Sequence, residues 1–334
     1  MPAVTVRGGT LAGMAVAARL AKVGHDVTLV HDDGPLGPEN LPDVFTFPAP
    51  WRDLFTKSGR TLAAELARTG HELTAVAARP VGDGLLLPAE RGGQFAVLSE
   101  AFGTAVAERW RDLLDALDDV WQARRPLGLE QEFDAARFRA ARKELWWGTS
   151  VERLARRFGH PVLAQVIRQS AEGEPRRSPA DEAMWLAVER TFGLWQVTTT
   201  AGEPAGSGVL VTALTERLRT RKVTVTDREP ASCDAVVTAH GPLPRGWRGP
   251  HPWPRRTGSR VGPGRYTCGD HTHAGRTVAG QLLSAALAAY AVHLDLTGEN
   301  IHPTNKDRRR GKRTRPGPPG EQPHHGPTGP PGEG

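Results

Sequence analysis

A glycine-rich segment near the start of the chain has the spacing of a turn that binds phosphate groups. A dinucleotide-binding turn carries glycine at its first, third and sixth positions, where it permits the tight turn, the approach of a diphosphate and close helix–strand packing. Here the first and sixth positions are glycine, whereas the third is threonine, whose hydroxyl can itself bond to a phosphate. We predict a nucleotide site, with a ligand-free glycine turn as the alternative, at these residues: Gly8, Gly9, Thr10, Leu11, Ala12 and Gly13.

The side chains that follow the second predicted strand are candidates for binding a ribose. The dinucleotide pattern expects an acidic residue about 20 positions after the turn, where its carboxylate accepts hydrogen bonds from ribose hydroxyls. That position falls on His31, which is followed by Asp32. A neutral imidazole can bond to a hydroxyl, and Asp32 would reach the same place if the strand ended one residue later. We therefore predict both residues as nucleotide contacts.

A second chemical pattern lies near the other end of the chain. A short strand at 265–268 ends in Gly269 and Asp270, and a loop then leads into a helix that begins near Val278. Together with the opening glycine turn, this segment resembles the FAD-binding motifs of amine oxidases and phytoene desaturase-like flavoproteins. A Gly-Ser-Gly at 206–208 before a helix, and a strand at 233–239, match the same family in the expected order.

The resemblance implies FAD as the cofactor and gives roles to residues of the second pattern. Asp270, after Gly269, would bond to the ribityl or diphosphate part of FAD. The helix start would face the pyrimidine edge of the flavin, where the partial positive charge of a helix N-terminus stabilises the negative charge of the reduced ring. The residues given this role are Thr277, Val278, Ala279 and Gly280.

The activity that the resemblance implies is an FAD-dependent oxidoreduction. Such an enzyme moves a hydride equivalent between flavin and a C–H or C–N bond of an apolar or amine substrate. Only about 25 residues separate Ala239 from Arg265, where the family carries much of its substrate domain, so the chain resembles a shortened member. A degenerate, non-catalytic dinucleotide-binding protein of the same fold is the alternative, and a protein that uses NAD(P) alone is a third reading. No residue is identified as a catalytic acid or base.

The elements that must position these residues predict an α/β fold. A strand, a glycine turn, a helix and a second strand within the first thirty residues imply a parallel pair with a right-handed crossover. Residues 34–50 are interpreted as loop, and residues 99–195 as almost wholly helical. A substrate is expected to lie against this region at Trp110, Trp121, Trp146, Trp147 and Trp185. We predict a Rossmann-like FAD-binding domain from residues 1–55 and 201–305, and a mostly helical inserted substrate lobe at 56–200.

Composition excludes several other classes of protein. The sequence has no secretory leader pattern, and its most apolar stretch, 278–296, is interrupted by polar residues, which argues against a transmembrane helix. Cys233 and Cys268 make neither a disulfide framework nor a zinc cluster. His271 and His273 lack an evident third ligand, so no metal site is expected. A cytoplasmic protein is the resulting prediction.

The net charge of +6 belongs mainly to the end of the chain. Residues 306–315 contain seven lysines or arginines against a single aspartate, and the remaining tail is rich in glycine and proline. We therefore predict that 306–334 is a disordered basic tail. No specific nucleic-acid partner is expected, because the rest of the chain is nearly neutral, whereas a weak contact of the tail with a membrane surface is an open alternative.

Overall fold

Short runs of alternating or wholly apolar residues form the strands of this protein. The structure is a computed structural model, and it describes residues 1–32, 34–38, 41–82, 84–239 and 252–303. The strands within these residues are β1 (Ala3–Arg7), β2 (Asp26–Val30), β3 (Val44–Thr46), β4 (His71–Val76), β5 (Ala78–Val81), β6 (Leu85–Pro88), β7 (Leu194–Thr199), β8 (Thr224–Thr226), β9 (Ala235–Thr238), β10 (Arg260–Gly262) and β11 (Arg265–Thr267).

Helices connect these strands and make up most of the middle of the chain. They are α1 (Leu11–Lys22), α2 (Ala49–Ser58), α3 (Leu62–Arg68), α4 (Arg91–Phe102), α5 (Thr104–Arg124), α6 (Ala135–Ala140), α7 (Val151–Phe158), α8 (Pro161–Gln169), α9 (Met184–Phe192), α10 (Gly208–Thr220) and α11 (Val278–Thr297).

The main sheet takes its strands from both ends of the chain. Six strands lie in the order β10-β11-β9-β1-β2-β8, and all neighbours are parallel except β10 and β11. Strand β1 is central: Val6 lies opposite Leu29 of β2 on one side and opposite Val237 of β9 on the other. Val4 and Val6 of β1 are buried, as expected for a strand that is paired at both edges and covered on both faces. The predicted α/β fold with a parallel sheet is confirmed.

Helix α1 carries the crossover between β1 and β2, and its small side chains let neighbouring elements approach closely. Ten consecutive residues, Leu11–Leu20, are buried, and the helix packs against α2, α10 and α11. Helix α11 is 20 residues long with a mean hydropathy of 1.2, which is enough by length and composition to cross a membrane. Most of it is nevertheless buried within the fold, as expected for a core helix.

The middle of the chain contains more strand than its sequence predicted. Strands β4, β5, β6 and β7 all fall within 56–200, the lobe predicted to be mostly helical. Strand β7 pairs antiparallel with β3 and β4. Strand β3 and the start of α2 likewise fall within 34–50, which had been interpreted as loop. Strands β3, β4 and β7 are held by pairing partners more than 100 residues away, which local periodicity does not register.

The residues before and after Glu299 belong to separate units. Residues Met1–Glu299 form one unit. The proposed domain boundaries within it, at 55/56 and 200/201, stay a prediction. Residues Asn300–Gly334 form the second unit, and the predicted basic tail at 306–334 lies outside the described residues.

Candidate functional site

The glycine turn after β1 is shaped by the packing of the chain against itself. Gly8 has a φ of 104°, a left-handed conformation that favours glycine. A Cβ atom on Gly13 would overlap the carbonyl oxygen of Gly8, so α1 starts directly against the end of β1. The Oγ1 atom of Thr10 accepts a hydrogen bond from the Gly13 amide at 3.2 Å and caps α1. The Thr10 hydroxyl therefore stabilises the helix start in this structure.

The structure brings the two sequence patterns together at the carboxyl ends of neighbouring strands. Strand β9 lies between β1 and β11, and Ala239 directly follows it. A Cβ atom on Gly269 would lie 3.1 Å from the Ala239 carbonyl oxygen and 3.8 Å from the Ala12 Cβ. A Cβ atom on Gly13 would lie 3.1 Å from the Ala239 Cβ. In open α/β sheets, ligands bind in the crevice outside this edge.

Asp270 lies at the same edge and its carboxylate is half exposed. Its Oδ1 atom is 3.5 Å from His271 Nδ1, and its Oδ2 atom is 3.9 Å from Arg276 Nε. The hydrogen bond from His271 and the nearby arginines hold the pKa of Asp270 below its usual value. An ionised carboxylate with 53 % of its side chain exposed is able to accept hydrogen bonds from ligand hydroxyls.

The start of α11 faces a cavity of about 490 Å³. Thr277 caps the helix by accepting the Gly280 amide at 3.0 Å, and a Cβ atom on Gly280 would overlap the Ala274 carbonyl oxygen. Besides Thr277, Val278 and Ala279 also line the cavity, together with residues from β3, β5, α8 and α9. Its apolar lining includes Leu41, Phe45, Val166, Trp185 and Leu186.

Buried charges lie behind the loop that precedes α11. Glu172 Oε2 accepts hydrogen bonds from Arg256 Nη1 and from the Arg276 amide, both at 3.0 Å. The Glu172 amide in turn donates to Glu182 Oε2 at 2.7 Å. Burial, and then the neighbouring charge of Glu172, raise the pKa of Glu182 to about 8. These contacts connect the loop to the helical part of the chain.

A second buried pair, Arg124 and Asp181, belongs to the same region. Arg124 Nε lies 3.7 Å from Asp181 Oδ2, and the guanidinium carbon is 3.4 Å from the centre of the Trp253 ring. Desolvation lowers the pKa of Arg124 to about 10 and raises that of Asp181 to about 6, so both groups are charged at neutral pH. Neither pair was anticipated, because nothing in the sequence relates residues that meet across such separations.

The two residues predicted to bind a ribose, His31 and Asp32, differ in exposure and packing. Asp32 is exposed, whereas the His31 ring packs onto the glycine turn: a Cβ atom on Gly9 would lie 2.5 Å from His31 Nδ1 and 2.8 Å from Leu36 Cδ2. The Gly37 amide also donates to the Gly9 carbonyl at 2.7 Å. The β2 side of the turn is therefore filled by the protein's own side chains.

The residues at the start of α11 suit FAD better than those of the glycine turn after β1. The open cavity at the α11 start, with its helix N-terminus and the exposed Asp270 nearby, provides space and complementary charge for a flavin. At the glycine turn, an adenosine needs His31 and Leu36 to rotate away from Gly9. Both are side-chain movements.

Comparisons with known proteins find structural similarity at low sequence identity. An oxidoreductase from Methanosarcina mazei is 14 % identical, with 71 % of this chain and 58 % of that chain covered and a TM-score of 0.39. Putrescine oxidase bound to putrescine is 14 % identical (71 % and 57 % covered, TM-score 0.42). A Rab GDI from Plasmodium falciparum is 9 % identical (71 % and 65 % covered, TM-score 0.35).

This chain spans less than two thirds of the length of each of these three proteins. No protein-family model matches the sequence. No curated protein matches it either. At such low identities and TM-scores the similarities do not bear on cofactor or activity, and the α/β assignment rests on the sheet itself.

Other side chains singled out in the sequence have structural partners. The His273 ring stacks on Phe133 with centroids 4.2 Å apart, and His271 pairs with Asp270 and Thr267. Among the described residues, no group of three His, Cys, Asp or Glu side chains is placed to hold a metal ion. Of the five tryptophans predicted near a substrate (Trp110, Trp121, Trp146, Trp147 and Trp185), Trp185 lines the cavity.

The contribution of the Thr277 cap of α11 to stability can be tested by substitution. Thr277→Ala removes the side-chain acceptor of the Gly280 amide, so we expect the free energy of unfolding to fall by about 1 kcal/mol. Thr212→Ala is the matched control, because that exposed hydroxyl only bonds back to the Gly208 carbonyl within α10. Urea unfolding of both variants measures the difference, and an equal effect would contradict a capping role.

Proposed function

We propose that this protein is an FAD-dependent oxidoreductase whose substrate enters the cavity at the start of α11. The observation that carries the proposal is the meeting of Gly13 and Gly269 on either side of Ala239, next to a helix N-terminus that opens onto a cavity. One cofactor can then be held by segments from both ends of the chain. The hydride transfer itself is chemistry that FAD supplies when bound.

The chain's own residues provide binding, charge and exclusion of water in this proposal. Asp270 offers carboxylate oxygens to the hydroxyls of the cofactor. The start of α11 at Val278 and Ala279 places the positive end of a helix dipole at the cavity, where negative charge is stabilised. Phe45, Trp185 and other apolar side chains provide a wall that disfavours water.

Purification of the full chain tests the proposal. We expect a yellow protein whose visible absorbance bleaches on reduction, and about tenfold weaker FAD retention in Asp270→Ala, because a hydrogen bond to a charged group contributes about 1.5–3 kcal/mol. Asp119→Ala, an exposed acid on α5, is the control and should retain FAD fully. A colourless protein that takes up no FAD on reconstitution would overturn the proposal.

The packing of His31 onto Gly9 favours a second candidate, a non-catalytic protein of the same fold. In that case the His31 side chain occupies the place of a nucleotide at the turn, and the protein acts by binding partners at its surface. His31→Ala separates the two candidates. Binding of FAD by the variant but not by the unaltered protein supports the non-catalytic candidate, whereas equal binding by both supports the oxidoreductase.

A further inference from the structure

An arginine–glutamate pair that is not among the predicted cofactor residues lies in the wall of the 490 Å³ cavity. Arg79, on β5, donates from Nε to Glu189 Oε1 of α9 at 2.6 Å. The two side chains are only 22 % and 16 % exposed. Apolar side chains make up most of the cavity wall, and this pair is one of the charged features in it.

The pair leaves more donors than acceptors free. Only Nε of Arg79 is used by Glu189, and within the described part of the chain its two terminal amino groups have no hydrogen-bond partner. Glu189 keeps one carboxylate oxygen. A guanidinium presents its terminal amino groups as a planar fork that matches the two oxygens of a carboxylate.

The other charged groups of the cavity do not use the free donors of Arg79. Glu172 is neutralised by Arg256, and its Oε2 also accepts the Arg276 amide. The Arg276 side chain lines the cavity as a second cation, 43 % exposed and 3.9 Å from Asp270. Two guanidinium groups therefore face a space whose acids already have cationic partners.

From this arrangement we propose that the cavity binds an apolar molecule that carries a carboxylate, with the carboxylate on Arg79 and the apolar body against Phe45, Trp185 and Leu186. The inference names a substrate class for the proposed flavin site. Oxidation or reduction of such a molecule rests on the proposed function, whereas its binding to the cavity does not. Octanoate, octanamide, octanol and octylamine share one apolar chain and differ in the end group, so they serve as probes.

We expect calorimetry on the full chain, as purified, to give about tenfold tighter binding of octanoate than of octanol. Octanamide should be intermediate, and octylamine should bind most weakly, because its charge repels Arg79. The double variant Arg79→Gln, Glu189→Gln keeps a hydrogen-bonded pair without leaving an unpaired buried charge, and it should lose the tenfold preference. Arg91→Gln, at an exposed ion pair on α4, is the matched control and should retain it.

Equal or tighter binding of octanol or octylamine would overturn the inference, as would an undiminished preference for octanoate in the double variant. A thermal melt of each variant verifies that the fold is intact. The flavin content, read from the absorbance spectrum, is independent of these titrations. A protein that binds octanoate but no FAD contradicts only the proposed function, and one that binds FAD but shows no preference contradicts only this inference.

Discussion

Replacing Arg124 by methionine is expected to lower the free energy of unfolding by about 3–5 kcal/mol, the largest effect that we anticipate for a single substitution. The Arg124 and Asp181 side chains are 3 % and 1 % exposed, and the substitution leaves the Asp181 carboxylate buried without its cation. It also removes hydrogen bonds from the guanidinium to the carbonyls of Leu127 and His273. Urea unfolding followed by tryptophan fluorescence measures the loss.

Arg125→Met is the control for this prediction. The neighbouring arginine pairs with Glu130 at 2.8 Å, but the two side chains are 32 % and 23 % exposed, so the pair should contribute no more than about 1 kcal/mol. Adding Asp181→Asn to Arg124→Met should recover part of the stability, because the amide keeps an acceptor for the Trp253 indole N–H. A loss no greater than that of Arg125→Met would show that the pair is not buried as described.

Glu182→Gln is expected to change how stability depends on pH. Burial raises the pKa of Glu182 from 4.5 to about 8 in the folded protein, so the folded state holds a proton that the unfolded chain releases. This group's contribution to stability is complete below pH 4.5 and is lost as pH rises towards 8, with a slope of at most about 1.4 kcal/mol per pH unit. Glutamine resembles the protonated acid and removes that slope.

The measurement is the difference in unfolding free energy between Glu182→Gln and the unaltered protein, taken across this pH window. Subtraction removes the contributions of His25 and of His273, whose pKa values are lowered by burial. The variant should gain stability relative to the unaltered protein as pH rises. Glu174→Gln, at an exposed pair with Arg177, should give a difference that does not vary with pH. A constant difference for Glu182→Gln would contradict a buried proton at that site.

Local sequence patterns were sufficient to predict most elements of the main sheet, though not the edge strand β10. The first βαβ unit, α10, β9, β11 and α11 lie within a few residues of where apolar spacing and glycine placement indicated. Gly13 was correctly expected to permit close packing, because a Cβ atom there would overlap backbone. Apolar spacing and glycine placement involve only a few adjacent residues, so they can be recognised in a single sequence.

The features that escaped prediction depend on contacts between distant parts of the chain. The Arg79–Glu189 pair joins residues 110 positions apart, and no periodicity relates them. His31 was expected to point towards a ribose, and its packing on Gly9 depends on the path of the loop after β2. The roles of the predicted cofactor residues stay predictions until a ligand is measured.

The placement of β1 between β2 and β9 affects how this chain can fold during synthesis. Strand β1 is synthesised before both of its partners, and the partner for its second edge begins only at Ala235. Until then one edge of β1 lacks its neighbour, and unpaired strand edges promote aggregation. Nascent chains therefore have to be protected over some 230 residues of elongation, and the high contact order of the pairing favours slow refolding.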